Sequence, residues 1–116
     1  MDWLKIEETQ KTVCNRYGAA FVSTPPDDKI GLATSTMGLK PINGIRHPIT
    51  LGTSGWYIWC GELFSESTDF FDPQCASHVY ESLPDARHLL GLPPGYRFLL
   101  AGNYLDVWYD VALLNF

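Results

Sequence analysis

Ser54-Gly55-Trp56-Tyr57-Ile58-Trp59-Cys60-Gly61-Glu62 is the stretch on which the fold turns. Three aromatics and one β-branched residue fill four consecutive positions between Gly55 and Gly61. Such side chains fit a pleated surface and lose χ1 freedom in a helix, so the stretch reads as a strand. Trp56, Ile58 and Cys60 then point to one face, Tyr57 and Trp59 to the other. Both faces are apolar, which places the strand centrally in a sheet covered on both sides.

Downstream comes an acidic segment carrying Glu62, Glu66, Asp69 and Asp72, interrupted by Leu63-Phe64 and Phe70-Phe71. Asp72-Pro73 has the form of a cap followed by a first-turn proline and predicts a helix over 73–83. On that helix Cys75, Val79 and Leu83 share the inward face, His78 points outward, and Pro84 marks the stop. Asp85 to Leu90 gives a further short turn closed by Gly91. Pro94-Gly95 suits the centre of a type II turn. Tyr96 to Ala101 and Tyr104 to Val111 then form strands around Gly102-Asn103, a two-residue hairpin loop. That loop pairs Ala101 with Tyr104, Leu99 with Asp106 and Arg97 with Trp108. Tyr96, Phe98, Leu100, Leu105, Val107, Tyr109 and Val111 fall on the core face; Arg97, Leu99, Asp106, Trp108 and Asp110 fall on the other.

Upstream of the central strand the signal from Met37 to Gly52 is weak, broken by Gly38, Pro41, Gly44 and Pro48, with one short strand expected around 45–51. Ile30, Leu32 and Thr34 alternate with Gly31, Ala33 and Ser35, a strand whose small side admits a close neighbour. Ala19 to Ser23 reads as another short strand, cut by Pro25-Pro26. Asp2 as cap, Trp3, Ile6, Val13 and Tyr17 at helical spacing, and Gly18 as stop predict an amphipathic helix over 2–17. The expected fold is α+β: one domain, an antiparallel sheet of five or six strands, and two main helices packed on it.

The 116 residues are 46% hydrophobic and 18% charged, a composition that excludes intrinsic disorder. No apolar run approaches the roughly 20 residues that span a bilayer, so no membrane partner is expected. The acidic opening Met1-Asp2-Trp3-Leu4-Lys5-Ile6-Glu7-Glu8 is unlike a secretory signal, which points to the cytoplasm and to three free thiols at Cys14, Cys60 and Cys75. The net charge of −5 is uneven: residues 1–61 hold six Lys/Arg and five Asp/Glu, residues 62–116 two and eight. Such an acidic half repels nucleic acid and suits a partner with a basic surface, or serves solubility alone.

Few constellations carry chemistry. Cys75-x-x-His78 has finger-like spacing but no second half, so no metal is expected. A Cys60 nucleophile with His78 or His88 as base lacks a flanking cation or helix N-terminus to activate the thiol. Gly52-Thr53-Ser54-Gly55 lacks the lysine and helix of a phosphate loop. Asp106 and Asp110 lie roughly 13 Å apart on one strand, too far for paired acid–base work. No cofactor and no catalytic residue emerge. Trp108 between Asp106 and Asp110 is either an anchor for a basic partner or core covered by helix 2–17. Glu62, Glu66 and Asp69 extend the acidic candidate surface.

Four motifs in order, Ser54-Gly55-Trp56-Tyr57-Ile58-Trp59-x-Gly61-Glu62, Asp69-Phe70-Phe71-x-Pro73 with His78, Leu90-Gly91-Leu92-Pro93-Pro94-Gly95-Tyr96-Arg97-Phe98, and Asp106-Val107-Trp108-Tyr109-Asp110, resemble a bacterial immunity-protein domain, number thirty-three of that series. The resemblance spans roughly 43–115. It implies a non-enzymatic antitoxin that binds and neutralises a cognate toxin domain of a polymorphic toxin system. It brings no catalytic motif and no binding residue with it. Two other readings stand beside it: a small regulatory or ligand-binding module with an apolar pocket at Trp56, Trp59 and Phe98, and a hydrolase using Cys60. Oligomeric state is left open.

Overall fold

The computed structural model describes residues 2–115. It is an α+β fold built on one six-stranded sheet. In chain order the elements are α1 (Trp3–Arg16), β1 (Lys29–Leu32), β2 (Ile42–Arg46), β3 (Trp56–Cys60), β4 (Asp72–Cys75), α2 (Ala76–Ser82), β5 (Tyr96–Ala101) and β6 (Tyr104–Tyr109). Short 3₁₀ turns lie at Thr34–Thr36, Arg87–Leu89 and Val111–Leu114. The strands run β4-β1-β3-β2-β5-β6 across the sheet. β1 and β3 pair in parallel and the other neighbours antiparallel, so the sheet is mixed at that one joint.

β3 lies inside the sheet, and the hairpin has the expected register, from Ala101 opposite Tyr104 to Arg97 opposite Trp108. Trp56, Ile58 and Cys60 are buried on one face, where both helices pack with Ile30, Leu32, Tyr80 and Phe98. α1 begins where the Asp2 carboxylate accepts the Lys5 N–H and ends at Gly18, whose φ of +64° admits glycine readily. Two strand glycines make room for rings across the ladder. A Cβ on Gly31 would meet the Tyr57 ring at 2.6 Å, and one on Gly44 would run into the Phe98 ring.

Four expectations change. The helix expected over 73–83 is a strand followed by a shorter helix. Asp72–Cys75 pairs with β1 at the sheet edge, where a proline costs no outer ladder bond. Cys75 is consequently exposed, not inward. Residues 19–23 form no strand; they run extended and are held by Arg46 and by Val22 N–H donating to Gly91 O at 2.9 Å. The strand expected around 45–51 is β2 at Ile42–Arg46. Tyr109 and Val111, expected in the core, are 51% and 64% exposed because β6 is an edge and the chain leaves it at Asp110.

Arg46 was not singled out by sequence and is fully buried. Its guanidinium donates to Ser54 O (3.0 Å), Val22 O (2.8 Å), Leu92 O (2.7 Å) and Ser23 O (3.3 Å), and lies 5.5 Å from the Trp56 ring. One planar fork thus joins three loops to β2. Burial pulls its pKa down to about 10, which still leaves it charged at neutral pH. A second buried polar chain runs beside it. Gln10 donates to Tyr80 Oη (3.3 Å) and Arg87 O (2.8 Å), Tyr80 Oη donates to Thr24 O (2.6 Å), and Thr24 Oγ1 donates to Leu90 O (2.6 Å).

Candidate interaction face

The helices occupy one side of the sheet, and the residues expected to bind a partner, Trp108, Asp106, Asp110, Glu62, Glu66 and Asp69, lie towards the other. Trp108 stands on β6 opposite Arg97 and is 37% exposed. The Arg97 guanidinium lies 5.1 Å from the indole centroid, and its Nη1 is 3.0 Å from Asp110 Oδ2. The cation is therefore sandwiched between a ring face and a carboxylate, which fixes the indole's orientation without burying it. Asp110 also accepts the Ala112 N–H at 3.1 Å and starts the 3₁₀ turn. That carboxylate is thus engaged, whereas Asp106, one strand position before Trp108 on the same face, is exposed. The cover of Trp108 by helix 2–17, one of the two readings above, is overturned: α1 packs with Trp56 and Tyr80 on the opposite face.

Glu62, Glu66 and Asp69 are exposed on the 61–71 loop, which folds under β3 on the same side as Trp108. An aromatic stack holds the loop there. Phe64 sits 5.0 Å from Trp59, Phe71 5.2 Å from Tyr57, and Phe70 4.8 Å from Phe71. Tilted and edge-to-face rings at these separations add to simple area burial. Ser67 Oγ hydrogen-bonds the Asp69 carboxylate and holds its pKa below the usual range. A hollow of about 210 Å³ opens between Ile45, His47, Tyr57, Phe64 and Glu66. Another of about 470 Å³ opens at the end of β3 beside Leu39, Lys40, Glu62, Leu63 and Phe64. Leu39, Leu63 and Phe64 are 58%, 85% and 49% exposed, an apolar surface among acids that sequence reading did not assign. The only hint was two apolar pairs interrupting an acidic run.

The two acidic groups share a side of the sheet but do not meet. β6 lies three strands from β3, roughly 14 Å away. They form two patches separated by Ile45, His47 and Leu113, where His47 Nδ1 lies 2.9 Å from Leu113 O.

The other chemical readings fare differently. The proposed pocket of Trp56, Trp59 and Phe98 does not exist: Trp56 and Phe98 pack 5.7 Å apart under the helices, while Trp59 faces the loop. Cys60 is buried, and burial pushes its thiol up, away from an activated thiolate. Among the described residues no three His, Cys, Asp or Glu side chains gather as metal ligands, and no helix is long and apolar enough to cross a membrane.

The sheet is thus backed by helices on one face and offers a half-exposed tryptophan and acid-fringed aromatics on the other. A family model described as the Imm33-like domain matches residues 9–110, and the chain belongs to that family. The match starts within α1 and takes in the Pro25-Pro26 loop, so it begins well before the 43–115 span of the sequence motifs. Comparison with curated proteins and with solved structures gave no match.

Proposed function

We propose that the chain is an antitoxin of a polymorphic toxin system, acting in the cytoplasm by direct contact with a cognate toxin domain and with no catalytic step of its own. Family membership supports the immunity role. The observation that carries the mechanism is Trp108, held half-exposed by Arg97 on the sheet face that both helices leave uncovered. Aromatic anchors flanked by charge are where binding energy concentrates in protein interfaces. Asp106 beside it, with Glu62, Glu66 and Asp69 on the loop, suits a toxin with a basic surface. Asp110 contributes by fixing Arg97. The test is co-expression with the toxin domain encoded at the same locus, scored for growth. Rescue by the wild type that is lost in Trp108→Ala supports this reading. Absence of any rescue removes the antitoxin role, and undiminished rescue by Trp108→Ala removes this face.

A further inference from the structure

β6 ends the sheet, and its outer edge lacks the proline and lysine that blunt many edge strands. Edge strands are normally blunted by shortness, proline, lysine or a bulge. The opposite edge obeys this rule: β4 has four residues and contains Pro73. β6 has six residues, Tyr104-Leu105-Asp106-Val107-Trp108-Tyr109, with neither proline nor lysine. Its hydrogen-bond phase is fixed, because Asp110 N–H donates to Gly95 O at 2.7 Å in continuation of the β5 register. Tyr104, Asp106 and Trp108 therefore bond inward to β5, and Leu105, Val107 and Tyr109 turn their N–H and C=O groups to the free edge.

We propose that this edge pairs with the same edge of a second copy of the chain, two antiparallel β6 strands joining two sheets about a two-fold axis through Val107. Paired residues must share a face, which limits the register to centres on single residues. Centring on Val107 matches Val107 with itself and Leu105 with Tyr109 of the other copy. Every outward residue then meets an outward residue, each matched pair exchanging two backbone hydrogen bonds. On the other face Asp106 comes opposite Trp108 and Tyr104 opposite Asp110, so each acid meets an aromatic. Centring on Asp106 sets two Asp106 carboxylates opposite one another, and centring on Trp108 sets Asp106 opposite Asp110, both repulsive. Centring on Leu105 runs Tyr109 past the partner's hairpin turn. The edge is thus self-complementary in one register. The isologous contact closes on itself, so the assembly stops at two copies. It covers Tyr104 and Tyr109, which are 61% and 51% exposed in one copy, and leaves the loop patch of Glu62, Glu66 and Asp69 outside it.

The experiment is sedimentation equilibrium of the intact protein from low micromolar to near-millimolar concentration, with amide hydrogen exchange at both ends of that range. The mass rises from 13.0 kDa toward twice that value. The amides of Leu105, Val107 and Tyr109 exchange freely when dilute and become protected when concentrated, while those of Asp106 and Trp108 are protected throughout. Val107→Pro removes an edge donor without removing a β5 bond and weakens the dimer by at least about tenfold. Should that variant not fold, exchange in the wild type decides alone. A monomer at every concentration overturns the proposal, as does a dimer whose edge amides stay exposed. Edge amides protected only on adding the toxin domain also overturn it, and give the strand to the toxin. Growth rescue by the wild-type chain tests the antitoxin role separately from all these outcomes; the Trp108→Ala arm does not, because Trp108 comes opposite Asp106 of the second copy in this register.

Discussion

Arg46 shows how one residue can organise a small domain. A buried cation that meets four carbonyls and no carboxylate depends on its planar fork, since a compact ammonium cannot reach them all. Arg46→Lys keeps the charge and its desolvation cost but loses part of the fork. It is expected to lower unfolding free energy by about 2–4 kcal/mol, against less than about 0.5 for exposed Arg16→Lys. Denaturant midpoints of the two variants check this, and equal midpoints would refute it. Tyr80, in the same interior, makes a pH prediction. Burial pushes its phenol from 10.0 up to about 12. The folded state thus keeps a proton that the unfolded chain loses first. The resulting stability is fully present below pH 10 and declines as pH rises through 10 to 12. Tyr80→Phe lacks this dependence. The stability advantage of the wild type over Tyr80→Phe should therefore shrink by about 1.4 kcal/mol between pH 8 and pH 11. Arg46, lowered by burial, has the opposite slope, but it is present in both proteins and largely cancels in the difference.

At the scale of elements, the β5–β6 hairpin tests the core. Phe98 is 1% exposed, packs against Trp56, and lies over Gly44, where no Cβ fits. Phe98→Ala should cost about 3–5 kcal/mol, read as a lowered melting temperature, because neither β2 nor Trp56 can move in to fill the space. The hairpin, β3 and α1 were legible in sequence because their signals are local. Gly102-Asn103 sets the register, a dense aromatic run sets the strand, and Asp2 and Gly18 bracket the helix. β2 was not legible because Gly44 and the prolines around it read as loop, and only the Phe98 ring from a distant strand makes that glycine a strand residue. Asp72-Pro73 was misread because the same dipeptide suits a helix start and an edge strand; pairing with β1 decides between them. The candidate site divides likewise. The placement of Trp108 opposite Arg97 and of Asp106 opposite Leu99 followed from the hairpin register. The stacking of Phe64, Phe70 and Phe71 under Trp59 and Tyr57 is tertiary and left no periodic trace.

The whole molecule is two-sided, with helices and buried polar chains behind the sheet and the acid-fringed aromatic surface in front. Binding through that front separates into two terms. In the complex proposed above, Trp108 is expected to supply short-range contact energy, and the loop acids long-range attraction across a Debye length of about 8–10 Å. Because the two patches sit on different elements, β6 and the 61–71 loop, their contributions should be nearly additive. Trp108→Ala is expected to leave the melting temperature almost unchanged, since the ring is 37% exposed on an edge strand, while raising the toxin off-rate about 30-fold, equivalent to about 2 kcal/mol. The triple change Glu62→Gln, Glu66→Gln, Asp69→Asn should act on the other rate. The association rate should fall several-fold at low salt and become less sensitive to added salt, with the off-rate little altered. Stopped-flow association at several ionic strengths, paired with dissociation by competition, separates the two. If the triple variant keeps the wild-type salt slope, the loop acids do not face the toxin, and the encounter is directed from the Asp106 end of the sheet or by net charge alone.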